Sequence, residues 1–123
     1  MENGKIISPS LEDYLKAIYL LNARDNSVRL VDIAERLSVS KPSANWAVTV
    51  LTEKELVTHT PYGPILLTAK GIEAAEKLIA KCKTIKQFLM QILNIDESLA
   101  DSEACIMEHV IDNIILDKML LMI

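Results

Sequence analysis

Cysteine is nearly absent: Cys82 and Cys105 are the only two in 123 residues. Two such residues build no disulfide framework, and in a reducing compartment they read as small core residues or as metal ligands. Glycine and proline are scarce too, at three and four, so long structureless stretches are not expected. No apolar run approaches the ~20 residues needed to cross a bilayer. Met1 to Pro9 holds one basic residue and no long apolar stretch, so no secretory signal is expected and the cytoplasm is the expected location. Neither a glycine-rich phosphate loop nor a nucleophile–base pairing stands out, which speaks against an enzyme. Internal repeats and low-complexity segments are also missing.

An excess of positive charge is likewise missing: the net charge is −4. The distribution matters more than the total. Residues 1–72 carry eight Lys and Arg against eight Asp and Glu, whereas residues 73–123 carry five lysines against nine acids. The acidity therefore belongs to the second half, as a cation site or as a solvated helical surface.

What is present is periodic. Ser10, with Asp13 three residues on, has the spacing of a capping box. Leu11, Tyr14, Leu15, Ile18 and Leu21 then recur at helical spacing, and a polar, turn-like stretch runs from Asn22 to Ser27. A short helix follows on Leu30, Ile33, Ala34 and Leu37. The connection Ser38-Val39-Ser40 leads to a third helix, with Ser40 as cap, Pro42 in the first turn, and Ala44, Ala47, Val48 and Leu51 inward. Two short helices with so tight a joint have helix-turn-helix spacing. Two β-prone runs, Leu56 to Thr60 and Ile65 to Thr68, flank Pro61-Tyr62-Gly63-Pro64 and predict a hairpin, which in this position is a wing. Thr68 caps a long helix to about Ile92, with Ile72, Ala75, Leu78, Ile79, Cys82, Ile85 and Leu89 on one stripe. After a break at Asn94 to Glu97, further helices are expected near 99–111 and 113–121. The fold class is mostly α with a small β-hairpin: a winged helix-turn-helix over 1–72, then a helical dimerisation domain over 73–123. The apolar end, Met119 to Ile123, suits a last helix buried in a dimer or the end of a shortened chain.

Opposite the buried stripe of the third helix lie Pro42, Asn45, Trp46 and Thr49, where a recognition helix meets the major groove. Asn pairs with adenine edges, and Trp and Pro contact thymine methyls. The alternative for Trp46 is packing on a neighbouring element such as the wing. Ser40, Ser43 and Tyr62 complete the expected DNA-facing set, with Arg29 and Lys41 toward phosphates; Lys54, His59 and Lys70 are further phosphate candidates. So thin a basic set makes affinity per protomer modest and salt-dependent, so that dimerisation matters. Cys105, Glu108 and His109 stand at i, i+3 and i+4 of one expected helix. A thiolate, a carboxylate and an imidazole aimed at one point suit a first-row transition metal; a chance cluster of a core Cys with a surface Glu–His pair is the alternative.

Several ordered motifs resemble the diphtheria toxin repressor and manganese transport regulator family. Ser10-Leu11-Glu12-Asp13-Tyr14-Leu15 with Ile18-Tyr19 is similar to its first helix, Val31 to Leu37 to its second, and Leu67-Thr68-Ala69-Lys70-Gly71 to its wing exit. Glu103-Ala104-Cys105 through Glu108-His109-Val110 resembles the metal-binding helix of the iron-responsive branch. The resemblance covers about residues 8–123. It implies a metal-dependent repressor of iron or manganese homeostasis that binds double-stranded operator DNA as a homodimer. In this family a divalent cation joins the first helix to the dimerisation domain. The ligands carried over by position are Asp13, Cys105, Glu108 and His109, with Cys82, at the place of a family histidine, as a weaker ligand or a small core residue. Asp13 matches the manganese branch and Cys105 the iron branch; Fe(II) is favoured, with Mn(II) as the alternative. Lys16 stands where the manganese branch has a glutamate ligand, so a two-metal centre is not expected. The alternative for Asp13 is the capping box alone, which it also fits. The competing functions are a metal-independent winged-helix regulator and a protein-interaction module anchored by Trp46.

Overall fold

The computed structural model describes residues 9–61 and 63–123. Its elements are α1 (Leu11–Arg24), α2 (Leu30–Leu37), α3 (Lys41–Glu53), β1 (Val57–His59), β2 (Ile65–Leu67), α4 (Ala69–Gln91), α5 (Glu97–Met107) and α6 (Asn113–Met122). The fold class is the expected one, mostly helical with one hairpin. The chain divides into two compact units, Met1–Ala75 and Glu76–Ile123.

In the first unit local chemistry sets the helix ends. Ser10 accepts the Asp13 N–H at 3.2 Å, and Asp13 Oδ2 accepts the Ser10 N–H at 2.9 Å, closing the expected capping box. Tyr14, Leu15 and Ile18 are buried, and so is Ala17. Beyond Leu21 the helix continues one further turn to Arg24, through residues read from sequence as a turn. Asn22 accounts for this: its amide donates to Ile65 O at 3.1 Å and its Oδ1 accepts the Leu67 N–H at 3.0 Å. One side chain thus satisfies two backbone groups of β2 and fixes the wing to α1. Asp32 accepts the Arg29 N–H at 2.9 Å to start α2. Ser38 ends it in the left-handed region, φ 56° and ψ 46°, which turns the chain into α3.

On α3 Ser40 caps Ser43 N–H, and Ala44, Ala47, Val48 and Leu51 are buried as the spacing predicts. Ile18, Ile33, Val57 and Ile65 are buried to near-zero exposure as well. Each large aliphatic side chain so buried contributes about 1.5–3 kcal/mol. The strands pair antiparallel with Val57 opposite Leu67, Thr58 opposite Leu66 and His59 opposite Ile65. The Ile65 N–H also donates to Val28 O at 2.8 Å, tying the wing to the segment before α2.

Thr68 caps α4, accepting the Gly71 N–H at 3.0 Å. Ile72 departs from the expected inward stripe of that helix: it is 41% exposed. The second unit is built on Ile85, Ala104 and Met119, with Cys82, Phe88, Leu89, Met107, Ile111 and Leu116 packed around them. Asp96 caps α5 and Asp112 caps α6. Lys86 is tied to Glu97 at 3.4 Å and to Asp101 at 3.5 Å; its hydrogen bond to Glu97 leads the effects that hold its ammonium above the ordinary lysine range.

The helix expected over 99–111 is shorter. It ends at Met107, with Glu108 as its C-cap. The His109 N–H donates to Ile106 O at 3.3 Å, the three-residue spacing with which helix ends often tighten.

Candidate metal centre and nucleic-acid interface

The residues expected to face DNA sit on one side of α3. Lys41, Pro42, Ser43, Asn45, Trp46 and Thr49 are all exposed, as are Arg29 and Ser40. The cap accounts for Ser40, whose Oγ is 3.2 Å from the Ser43 N and 3.0 Å from its Oγ. The Thr49 hydroxyl donates to Asn45 O at 2.8 Å, so it offers a methyl and a lone pair outward. Trp46 is 59% exposed. It borders a groove with Pro9, Tyr14, Val39, Pro42 and Ser43, a lining that contains no wing residue. Tyr62 lies outside the described residues.

Arg29, Lys41 and His59, three of the expected phosphate contacts, line one open cleft with Leu30, Val31 and Gly63. They come from the starts of α2 and α3 and from the wing. Cationic side chains beside two helix N-termini suit a phosphate group. Lys70 is engaged elsewhere, its ammonium donating to Lys54 O at 3.2 Å.

The second unit concentrates its donor atoms. A Cys82 Sγ, a Cys105 Sγ and a Glu108 carboxylate oxygen lie within 4.8 Å of one another. The two sulfurs are 3.9 Å apart, and neither is in a disulfide. Glu108 has 0% exposure and is the one acidic or basic residue buried among the described residues. His109 stands at the edge of this group, its Nε2 3.9 Å from Glu108 Oε2 and its side chain 18% exposed. A carboxylate withdrawn from water costs several kcal/mol unless a partner or a cation compensates. The donor set of sulfur, carboxylate and imidazole fits a borderline divalent metal. Asp13 is engaged in its capping box in the first unit.

Two features escaped the sequence reading. The clamp by Asn22 gives no periodic signal, because a polar residue at a helix end resembles the start of a loop. The full burial of Glu108 did leave one: Ala100, Ala104 and Glu108 follow at i, i+4 and i+8, which puts the carboxylate on the buried stripe of α5.

A winged helix-turn-helix followed by a helical domain is the architecture of metal-dependent transcriptional regulators. The chain belongs to the iron-dependent repressor family: residues 7–65 match that family's N-terminal DNA-binding domain, and residues 68–123 match its metal-binding and dimerisation domain. It is 42% identical over 118 residues to an uncharacterized HTH-type transcriptional regulator of Methanocaldococcus jannaschii, covering 92% of this chain and 91% of that protein. Among solved structures it is similar to the manganese regulator SloR, with 35% identity and a TM-score of 0.80 over 92% of this chain. It is also similar to IdeR of T. acidophilum, with 27% identity and a TM-score of 0.82 over 94% of this chain. The chain spans about half the length of these two regulators, 53% and 54%. No helix of the described residues is long and apolar enough to cross a membrane.

Proposed function

We propose that the protein is a homodimeric, metal-dependent repressor that binds double-stranded operator DNA in the cytoplasm and controls iron or manganese homeostasis. The observation that carries this is the burial of Glu108 beside the Cys105 thiol, in the part of the chain that matches a metal-binding domain. Residues 1–72 form the reading head and residues 73–123 the metal and dimer domain. Arg29, Ser40, Lys41, Pro42, Ser43, Asn45, Trp46, Thr49 and Tyr62 face the operator.

Cys105, Glu108 and His109 hold the ion, with Asp13 added by resemblance. The bound ion supplies positive charge that relieves repulsion among the acidic groups of this half. Cys105 favours Fe(II); Mn(II), the metal of the manganese regulator SloR, is the alternative. A homodimer accounts for the apolar surface left open by the second unit, where Val110 is 81%, Ile114 66% and Leu121 85% exposed. Patches of this kind mark interfaces.

The test is gel retardation of a random duplex pool under reducing conditions with Fe(II), Mn(II), Zn(II) or no metal. Retardation requires metal in the wild type, disappears in the Glu108→Gln/His109→Ala double variant, and weakens in Trp46→Ala. Unchanged binding by the double variant would establish the metal-independent reading instead.

A further inference from the structure

The wing is made of two strands of three residues each, and a hairpin of that size is marginal by itself. It must be held from outside. Val57 and Ile65 are buried, which sets how deep the hairpin sits. Burial is non-directional, so it leaves the tilt and slide of β2 open, and directional hydrogen bonds settle them. The Ile65 N–H donates to Val28 O at 2.8 Å. The Asn22 amide donates to the Ile65 carbonyl at 3.1 Å, and Asn22 Oδ1 accepts the Leu67 N–H at 3.0 Å. Both backbone groups of Ile65 are thus held from outside the hairpin. Across the strands Ile65 faces His59, which lines one cleft with Arg29 and Lys41. Val28 directly precedes Arg29. Ile65 is therefore the junction at which α1, the start of α2 and the wing are set against one another.

We propose that Asn22 is a positioning residue of the DNA interface: by holding β2 it fixes where His59 stands against a DNA phosphate. Both polar groups of its side chain are engaged with β2, so it acts through His59 rather than on the DNA. This rests on the reading that the first unit binds duplex DNA, and it does not depend on the metal site.

The test is a double-mutant cycle on the full chain. The probe is a fluorescein-labelled duplex that the wild-type chain has retarded out of the random pool, with whatever metal that binding required, and anisotropy reads the affinity. Asn22→Ala and His59→Ala each weaken binding about 2–10-fold. The double variant binds within about twofold of the weaker single variant. Asn22→Ala combined with Trp46→Ala, on α3, gives losses that multiply. A purely structural role would leave the affinity of the folded chain unmoved, so each variant is measured where circular dichroism shows it folded. Wild-type affinity in Asn22→Ala or in His59→Ala overturns the proposal, and so do losses that multiply between these two. Asn22→Gln keeps the amide on a longer arm and repeats the cycle with a milder change to the fold; the same outcomes apply.

A further measurement needs neither variant nor DNA. The Leu67 amide of the wild type exchanges its hydrogen slowly; exchange as fast as an exposed amide would overturn the proposal by removing the clamp. The outcomes also separate the two readings. Metal-indifferent DNA binding with a non-additive cycle leaves this proposal standing and removes metal-dependent repression. Metal-dependent binding with multiplying losses does the reverse, and a wild-type chain that retards no duplex under any condition removes both.

Discussion

Replacing Gly71 by alanine sets two effects of opposite sign against each other. Gly71 is buried in the first turn of α4. In an ordinary helix the change gains about 0.5–1 kcal/mol, because alanine loses less backbone entropy on folding. Here the new methyl is pressed onto the Leu56 carbonyl oxygen, and it lies 3.0 Å from that carbonyl's carbon and 3.1 Å from Leu67 Cδ2. Backbone rather than a flexible side-chain tip must give way, and overpacking of this kind costs about 1–3 kcal/mol. The same carbonyl accepts the Thr68 N–H at 3.0 Å, so displacing it loses about 0.5–1.5 kcal/mol more. The steric terms win, leaving a net loss of about 2 kcal/mol. Gly63→Ala is the control: its methyl meets mainly the Thr60 hydroxyl, a group that can rotate away, and its cost stays within about 0.5 kcal/mol. Urea unfolding followed by circular dichroism measures both variants, read as midpoint changes at constant slope. A Gly71→Ala chain as stable as the wild type, or more so, would refute the close approach of α4 to the wing backbone.

Asp13→Asn separates capping from ligation, because an amide oxygen still accepts the Ser10 N–H. Metal-free stability changes by no more than about 0.5 kcal/mol in thermal unfolding, and if Asp13 is a ligand the metal-induced rise in Tm shrinks; an unaltered rise removes Asp13 from the ligand set. Burial pushes the Tyr14 phenol above its ordinary value of 10.0, so the folded state holds this proton more tightly than the unfolded one. The contribution is fully present below about pH 10 and is lost as pH rises through the raised value. Tyr14→Phe therefore loses less stability than the wild type does as pH rises above about 10, and parallel profiles for the two chains would show the shift to be absent.

The legible parts of the fold were those governed by period and by caps. The stripe on α3 came out residue for residue, because a helix with one buried face repeats its apolar positions regardless of what covers them. The Ser10 and Ser40 caps were legible because the interaction is local in sequence. Contacts between distant segments were not: Asn22 reaches residues more than forty positions away, and no local pattern marks it. Ile72 misled for the opposite reason. It keeps helical spacing with Ala75 and Leu78, but apolar surface alone does not decide which side of a helix is covered.

The proposed metal site was half legible, and the reason is physical. Spacing along the chain brought Cys105, Glu108 and His109 together, since they are neighbours in sequence. It could not bring Cys82 to them, which depends on how closely α5 approaches α4. Ala100 and Ala104, both at 0% exposure, have side chains small enough to allow that approach, and Ala104 sits in one apolar cluster with Ile85 of α4. The position after Ala104 then carries Cys105 to within 3.9 Å of Cys82. Four residues after Ala104 the same buried stripe is occupied by a glutamate where packing alone calls for another small or apolar side chain. A sequence breaks its own local pattern at a buried position where function demands it. On this helix the break falls beside two sulfurs, which is why the proposed metal site rests on the carboxylate more than on either cysteine.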